Sequence, residues 1–228
     1  MNNLEQPPRR QLDRFLSALF LPNELVELRF IESWLSGEKK MSRVVRPAKW
    51  MRRRDVVAQH GQLTRLAERT FANIYFGVCP RQRPGDASDS SIAVVRCVWC
   101  DVDNVTAAEA HERWRKALAP EPSIIISSGS GIHAYWLLER DLTLEQEKSS
   151  FVAMLPHFYR SFGGDHVQNP SRVLRPPGTV NYKDARNGRR PAPCTLLACD
   201  RRLRYPLEAF SPWVQQAQAA KRRLAAAT

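Results

Sequence analysis

The residues Val98-Trp99-Cys100-Asp101-Val102-Asp103 end an apolar run on two carboxylates. Side chains alternate across a strand, so Asp101 and Asp103 share a face. At about 3.4 Å rise per residue they lie roughly 7 Å apart along it. Like charges so placed repel unless a cation sits between them, and hard divalent ions such as Mg²⁺ take oxygen ligands of this kind. The competing reading is a strand end entering a solvated turn, which Asp103-Asn104 suits. A second group is Ser127-Ser128-Gly129-Ser130-Gly131-Ile132-His133. Its glycines and serines make a tight turn whose backbone N–H groups can face an anion. His133 follows on the returning strand as a donor to phosphate; the plainer reading is a flexible hairpin with a structural histidine. A third group runs from Gly163-Gly164-Asp165 through Ser171–Lys183, SRVLRPPGTVNYK. Asp165 offers a third carboxylate, and Arg172, Arg175 and Lys183 stand in a Pro/Gly loop that limits their backbone freedom. Guanidinium forks match phosphate oxygens, though a rigid surface loop with solvated charges accounts for the same letters. Taken together the three groups form an inventory for phosphoryl transfer.

Patterning predicts the elements that must position these residues. Helices are expected over 11–21, 55–70, 106–118, 143–162 and 206–227. Thr106 and Glu109 stand in the capping-box arrangement at the third of them. Strands are expected over 23–31, 73–78, 92–102, 123–127, 133–138 and 194–198. Residues 81–91 read as a loop, 128–131 as a tight turn and 163–177 as irregular. Strands and helices mix without regular alternation, which indicates an α+β domain on an antiparallel or mixed sheet.

The chain has 228 residues, 35 Lys and Arg against 23 Asp and Glu, and a formal net charge of +12. It is long enough for one large domain and suited to a polyanionic partner, nucleic acid first. Residues 39–54 carry eight of the basic residues (Lys39, Lys40, Arg43, Arg46, Lys49, Arg52, Arg53, Arg54) and no acid. They are expected to track a nucleic-acid backbone, with Trp50 available to stack on a base; Tyr75 and Trp99 are expected in the core. No apolar run approaches a membrane span and the N-terminus does not read as a secretory signal. Five cysteines, thinly spread, favour free thiols in a reducing cytoplasm over a disulfide framework. Cys97 and Cys100 form a CxxC, but positions i and i+3 of a strand face opposite ways and cannot share one zinc ion.

The order of these motifs, a DxD, then SGSGIH, an aspartate and RVLRPPGTVNYK, resembles the archaeo-eukaryotic primase superfamily. It is most similar to the primase-polymerase domains of plasmid and phage replication proteins. The strand NIYFGVCPR ending at Arg81, and Leu25–Ile31 around Arg29, fit the same pattern, so the likeness runs from about residue 24 to about residue 200. One departure is Pro176-Pro177, where the family often has an aliphatic residue before Pro-Gly.

The resemblance implies an α+β fold with an RRM-like sheet flanked by helices. A catalytic domain is expected over 23–205, between a helical extension over 1–22 and a C-terminal helix and basic tail over 206–228. Asp101, Asp103 and Asp165 would hold Mg²⁺ or Mn²⁺, with Asp184 and Asp200 nearby in sequence to the third. Ser128, Ser130 and His133 would hold the phosphates of a nucleoside triphosphate, with Arg172, Arg175 and Lys183 beside them. Lys49, Arg52, Arg53, Arg54 and Arg81 would contact a single-stranded DNA template. The implied activity is primer synthesis, with or without DNA extension, for plasmid or phage replication. No GxxxxGK[ST] loop is present, so unwinding falls to a separate helicase or initiator. The alternatives are a non-catalytic single-stranded DNA or origin-binding protein on the same scaffold, and a metal-dependent nuclease. The nuclease reading lacks the paired histidines of a rolling-circle relaxase.

Overall fold

The computed structural model describes residues 6–143, 145–164 and 169–226; the side chains of 145, 146, 221 and 223–226, and the expected ligand Asp165, lie outside what it describes. The chain opens with α1 (Pro8–Leu19). Then come β1 (Leu25–Ser36), β2 (Lys39–Arg52), α2 (Arg53–Ala58), α3 (His60–Thr70) and β3 (Asn73–Gly77). The middle of the chain holds β4 (Val95–Asp103), α4 (Ala107–Lys116), β5 (Ile124–Ser127), β6 (Gly131–Leu142) and α5 (Glu145–Arg160). Short strands β7 (Val173–Leu174), β8 (Val180–Asn181) and β9 (Ala192–Pro193) precede β10 (Thr195–Cys199), β11 (Arg204–Tyr205) and α6 (Ser211–Ala226).

Two main sheets result. The first has the order β2-β1-β3-β7, antiparallel throughout. In the second, β6 is central, with β4 on one edge and β5 and the short parallel β11 on the other; β10 lies outside β5. Helices α4 and α5 cover one face of this sheet. Trp136 of β6 meets Trp114 of α4 edge-on at 5.9 Å and Phe158 of α5 at 4.8 Å, the offset geometry that ring quadrupoles favour. The capping box at Thr106 is formed, its hydroxyl accepting from the Glu109 N–H while the Glu109 carboxylate accepts from the Thr106 N–H.

Several expectations about the elements change. The basic segment over 39–54 is an edge strand, β2, paired along β1; lysine-rich edges resist pairing with other chains. The single helix expected over 55–70 breaks at Gln59, and the ring of His60 then bonds the Gly178 carbonyl at 2.7 Å. The strand over 194–198 is followed by a further strand, β11. α1, expected as an extension, is built into the core: Phe15 is fully buried, 5.1 Å from Phe76 of the first sheet and 5.2 Å from Tyr135 of the second. α6 likewise seats Trp213 on Phe158 at 4.9 Å. Helix α1 therefore packs between the two sheets, and α6 packs on α5 over the second.

Arg96 ties the same region by charge, its guanidinium donating to Glu24, to Asp141 and to the carbonyl of Leu19 at the end of α1. All five cysteines are free and buried. Cys97 and Cys100 do face apart. Burial and the neighbouring Cys79 push the Cys97 thiol up, whereas Cys100 lies against the Trp114 indole on the helix-covered side. Among the described residues no helix is long and apolar enough to cross a membrane. Removing the ring that bridges both sheets, by Phe15→Ala, is expected to cost about 3–5 kcal/mol, the range for a buried phenylalanine. Urea unfolding monitored by tryptophan fluorescence measures it.

Candidate active site

The β4–β6 register sets the site. Asp101 pairs with His133 and Asp103 with Gly131, so the carboxylates and the imidazole share the sheet face opposite the helices. Gly131 is required by contact: a Cβ there would collide with the Val102 carbonyl and lie 2.9 Å from the Asp103 Cα. Gly129, at φ 80°, turns the chain between β5 and β6, and its missing Cβ leaves room for Asn181.

Asp101 is largely buried, its side chain 15% exposed. Burial, and then the charge of Asp103, push its carboxyl up to about 7, while Arg175, Arg172 and Lys183 pull against them. His133 is 1% exposed. Burial first and the Arg175 charge second push it down to about 3, so it is neutral. Its Nε2 lies 3.4 Å from Asp101 Oδ1, a contact between a neutral ring and a destabilised carboxylate rather than an ion pair. Neither Asp101 Oδ1 nor His133 Nδ1 has a hydrogen-bond partner. A buried, orphaned carboxylate oxygen beside a second carboxylate is a donor set that fits a divalent cation. Among the described residues, no group of three or more His, Cys, Asp or Glu side chains converges. Gly164, next to the undescribed Asp165, packs against the Asp101 backbone; a Cβ on it would lie 3.2 Å from the Asp101 carbonyl oxygen.

The arginines arrive from the segment 172–183, which stitches the sheets together. β7 pairs with β3, and Arg175 donates to Asn73 Oδ1 at 3.2 Å and to the Tyr75 hydroxyl at 2.9 Å. Its guanidinium lies 5.0 Å from the centre of the Tyr75 ring. At the far end Asn181 donates to the Ser128 carbonyl at 3.0 Å and to Ser130 Oγ at 3.3 Å. The Lys183 N–H donates to the Asn181 carboxamide oxygen at 3.0 Å. Arg172 keeps a buried Nε without a partner. Pro176 and Pro177 are both buried in this segment.

The structure thus brings Asp101, Asp103, His133, Arg172, Arg175 and Lys183 together, with the 128–131 turn tied to them through Asn181. Ser128 is fully buried with an unpartnered hydroxyl, whereas Ser130 is partly open. Asp184 is turned elsewhere, accepting from the Leu35 N–H at 2.6 Å, and Asp200 caps the turn to Arg202 at 3.0 Å. Neither is in the site.

Among the expected DNA contacts, Arg81 is a correction. Its guanidinium is fully buried, 2.5 Å from the equally buried Glu27, and donates to the Ser171 carbonyl at 2.8 Å. It is a strut between β1 and the arginine segment, closed to a strand of DNA. Arg53 pairs with Asp13 at 2.8 Å, whereas Lys49, Arg52 and Arg54 are exposed. Tyr75, expected in the core, instead holds Arg175.

Asn73 and Asn181 carry the arrangement and had no role in the sequence reading. The signal for Asn73 is a polar residue opening an apolar strand, since buried amides are rare without partners. Asn73 Oδ1 also accepts from the Tyr182 N–H at 2.9 Å. Asn73→Ala leaves that N–H and the Arg175 Nε without an acceptor. It is expected to cost about 1–3 kcal/mol and to quicken proteolysis within 175–190, read by mass spectrometry of the nicked fragments.

Neither a family model nor a curated protein matches this chain. Solved structures do. The AEP domain of the primase-polymerase of cyanophage S-2L superposes with a TM-score of 0.62 at 21% identity, over 91% of this chain and 96% of that one. The primase RepB′ matches at 0.59 and 16%, over 96% of this chain and 66% of that one. Its catalytic domain in complex with initiator DNA matches at 0.57 and 14%, over 96% and 97%. Two largely antiparallel sheets flanked by helices, with this likeness along nearly the whole chain, give the protein the same fold as these primase domains.

Proposed function

We propose that this protein is a template-directed nucleotidyltransferase that synthesises primers on single-stranded DNA, with extension of DNA as a second capacity. The observation that carries the reading is the meeting of Asp101, Asp103 and His133 on one sheet face with the charges of Arg172 and Arg175, in a chain with a primase fold.

Asp101 and Asp103 would hold Mg²⁺ or Mn²⁺, with Asp165 as third ligand, supported by Gly164 lying against the Asp101 backbone. When bound, the ions neutralise phosphate oxygens and lower the cost of ionising a hydroxyl. Arg172, Arg175 and Lys183 neutralise the triphosphate, and the Asn73 and Tyr75 contacts hold Arg175 in place before it binds. Such charges, fixed in advance, need little reorganisation as the reaction proceeds. In the Ser128–Gly131 turn the Ser128 N–H is spent on the Gly131 carbonyl, so the Gly129 and Ser130 N–H groups and the Ser130 hydroxyl would face phosphate. His133, neutral, keeps one N–H to donate without adding charge beside Asp101. The 3′-hydroxyl oxygen forms a bond to the α-phosphorus, the bond from that phosphorus to the α–β bridging oxygen breaks, and pyrophosphate leaves. The hydroxyl proton passes to solvent.

The partners in this reading are a DNA template, as one structural neighbour binds initiator DNA, nucleoside triphosphates, and a separate helicase or initiator. The test is unprimed synthesis on single-stranded DNA with labelled nucleotides and Mg²⁺ or Mn²⁺, beside Asp101→Ala/Asp103→Ala. Short products from the wild type, and at least a 10³-fold loss in the variant with strand binding retained, are the expected results. That loss is of the order produced by removing a main electrostatic element of a site. Failure of synthesis with and without a primer, with binding intact, would make the protein a binding module. Equal loss of synthesis and binding in the variant would mark the pair as structural.

A further inference from the structure

The face of the first sheet turned away from Asp101 carries a row of cations. Along β1, Val26, Leu28, Phe30 and Glu32 share one face. Their partners on β2 are Met51, Lys49, Arg46 and Arg43, with register shifts on either side of Phe30. In a regular strand, residues three apart point to opposite faces. Each shift inserts one residue into β2, so Lys49, Arg46 and Arg43 all come to the same face. Phe30 is buried in the core; Leu28 on the same face, and Ile74 opposite Phe30, line one apolar cavity with His60 and Leu63 of α3, whereas Arg29 points with Tyr75 to the other face. The cation row therefore lies on the α3 side of the sheet.

Helix α3 supplies the facing wall. Gln62, Arg65, Leu66 and Arg69 follow the i, i+3, i+4, i+7 spacing of a single stripe. Together with β2 they line two adjoining open clefts of about 330 and about 370 Å³, which share Arg69 and Thr70 and end at Arg186. Arg43 and Arg186 both pair with the buried Glu32, two cations on one carboxylate. Arg46, Arg65 and Arg69 pair with no acid among the described residues. A groove walled by unneutralised guanidinium groups, in a chain of net charge +12, fits a phosphodiester backbone.

We propose that this groove is a second DNA-binding site, which takes the phosphate backbone of a strand beyond the part held at the catalytic face. It goes beyond the nucleotidyl-transfer reading, since it requires that DNA be the partner and not that primers be made.

The test uses Arg46→Gln/Arg65→Gln/Arg69→Gln in the full chain, with thermal unfolding as a check on folding. Anisotropy measures binding of a short single strand of ~8 nucleotides and a long one of ~30, against a site size of ~4–16 nucleotides for single-strand grooves. Three lost phosphate contacts should lower the long strand's log–log salt slope by about 2, at roughly 0.7 per contact, and leave the short strand unchanged. An unchanged slope on the long strand overturns the site, and so does an equal drop on both strands, which would reflect net charge alone. Polyglutamate in place of DNA provides the third arm. If its binding falls in the variant while the DNA slope holds, the groove serves an acidic protein and the proposal is wrong. Because the readout is binding, a protein inactive in primer synthesis would still pass or fail this test on its own terms.

Discussion

Two carboxylates at the end of one strand, one of them stripped of most of its water, set the terms for the rest of the molecule. Asp101 bears both the loss of hydration and the charge of Asp103, and together these raise its carboxyl to about 7. Such a pair is unfavourable without positive charge, because burial penalises the ionised form and like charges repel. The cations come from a segment far away in sequence, and that segment has to be anchored. Asn73 and Tyr75 hold Arg175 on one side, and Asn181 holds the serine-glycine turn on the other. Beneath them Arg81 spans from Glu27 to the Ser171 carbonyl. Much of the polar interior exists to keep positive charge near two aspartates.

The same constraint explains His133. A protonated imidazole would offer Asp101 a partner, but burial and the Arg175 guanidinium both oppose the proton. With the cations already supplied by arginine, the ring stays neutral and the Asp101 oxygen beside it keeps no hydrogen bond.

Much of this was legible in the letters, and the limits are physical. Period-two alternation put Asp101 and Asp103 on one face, and the turn glycines marked the return toward His133. The capping box at Thr106 was readable because it depends on three residues of spacing. By contrast, Arg81 reads as one more surface cation, because nothing local says that Glu27, fifty-four residues earlier, waits inside for it. α1 looks like an appendage for the same reason, since Phe76 and Tyr135 are distant in sequence from Phe15. The basic run is visible as a segment, but the register that turns Lys49, Arg46 and Arg43 to one side belongs to β1 and β2 jointly. Asn73 is a single polar letter in an apolar strand, and its meaning lies with Arg175 and Tyr182, more than a hundred residues on.

The anchoring of the arginine segment has a consequence for how the molecule is made. The hydrogen bonds that fix Arg175 and Tyr182 close spans of 100 to 109 residues, and Asn181 closes one of 53 to the Ser128 carbonyl. Contacts over such distances form slowly, since chain entropy is lost before they return anything. The β4–β6 pair that carries the aspartates can form as soon as both strands exist, yet the cations that make the two carboxylates tolerable arrive only once the chain has passed Lys183. During synthesis from the N-terminus, the acidic half of the site therefore precedes its counterions, and final closure of the centre is a late event of folding.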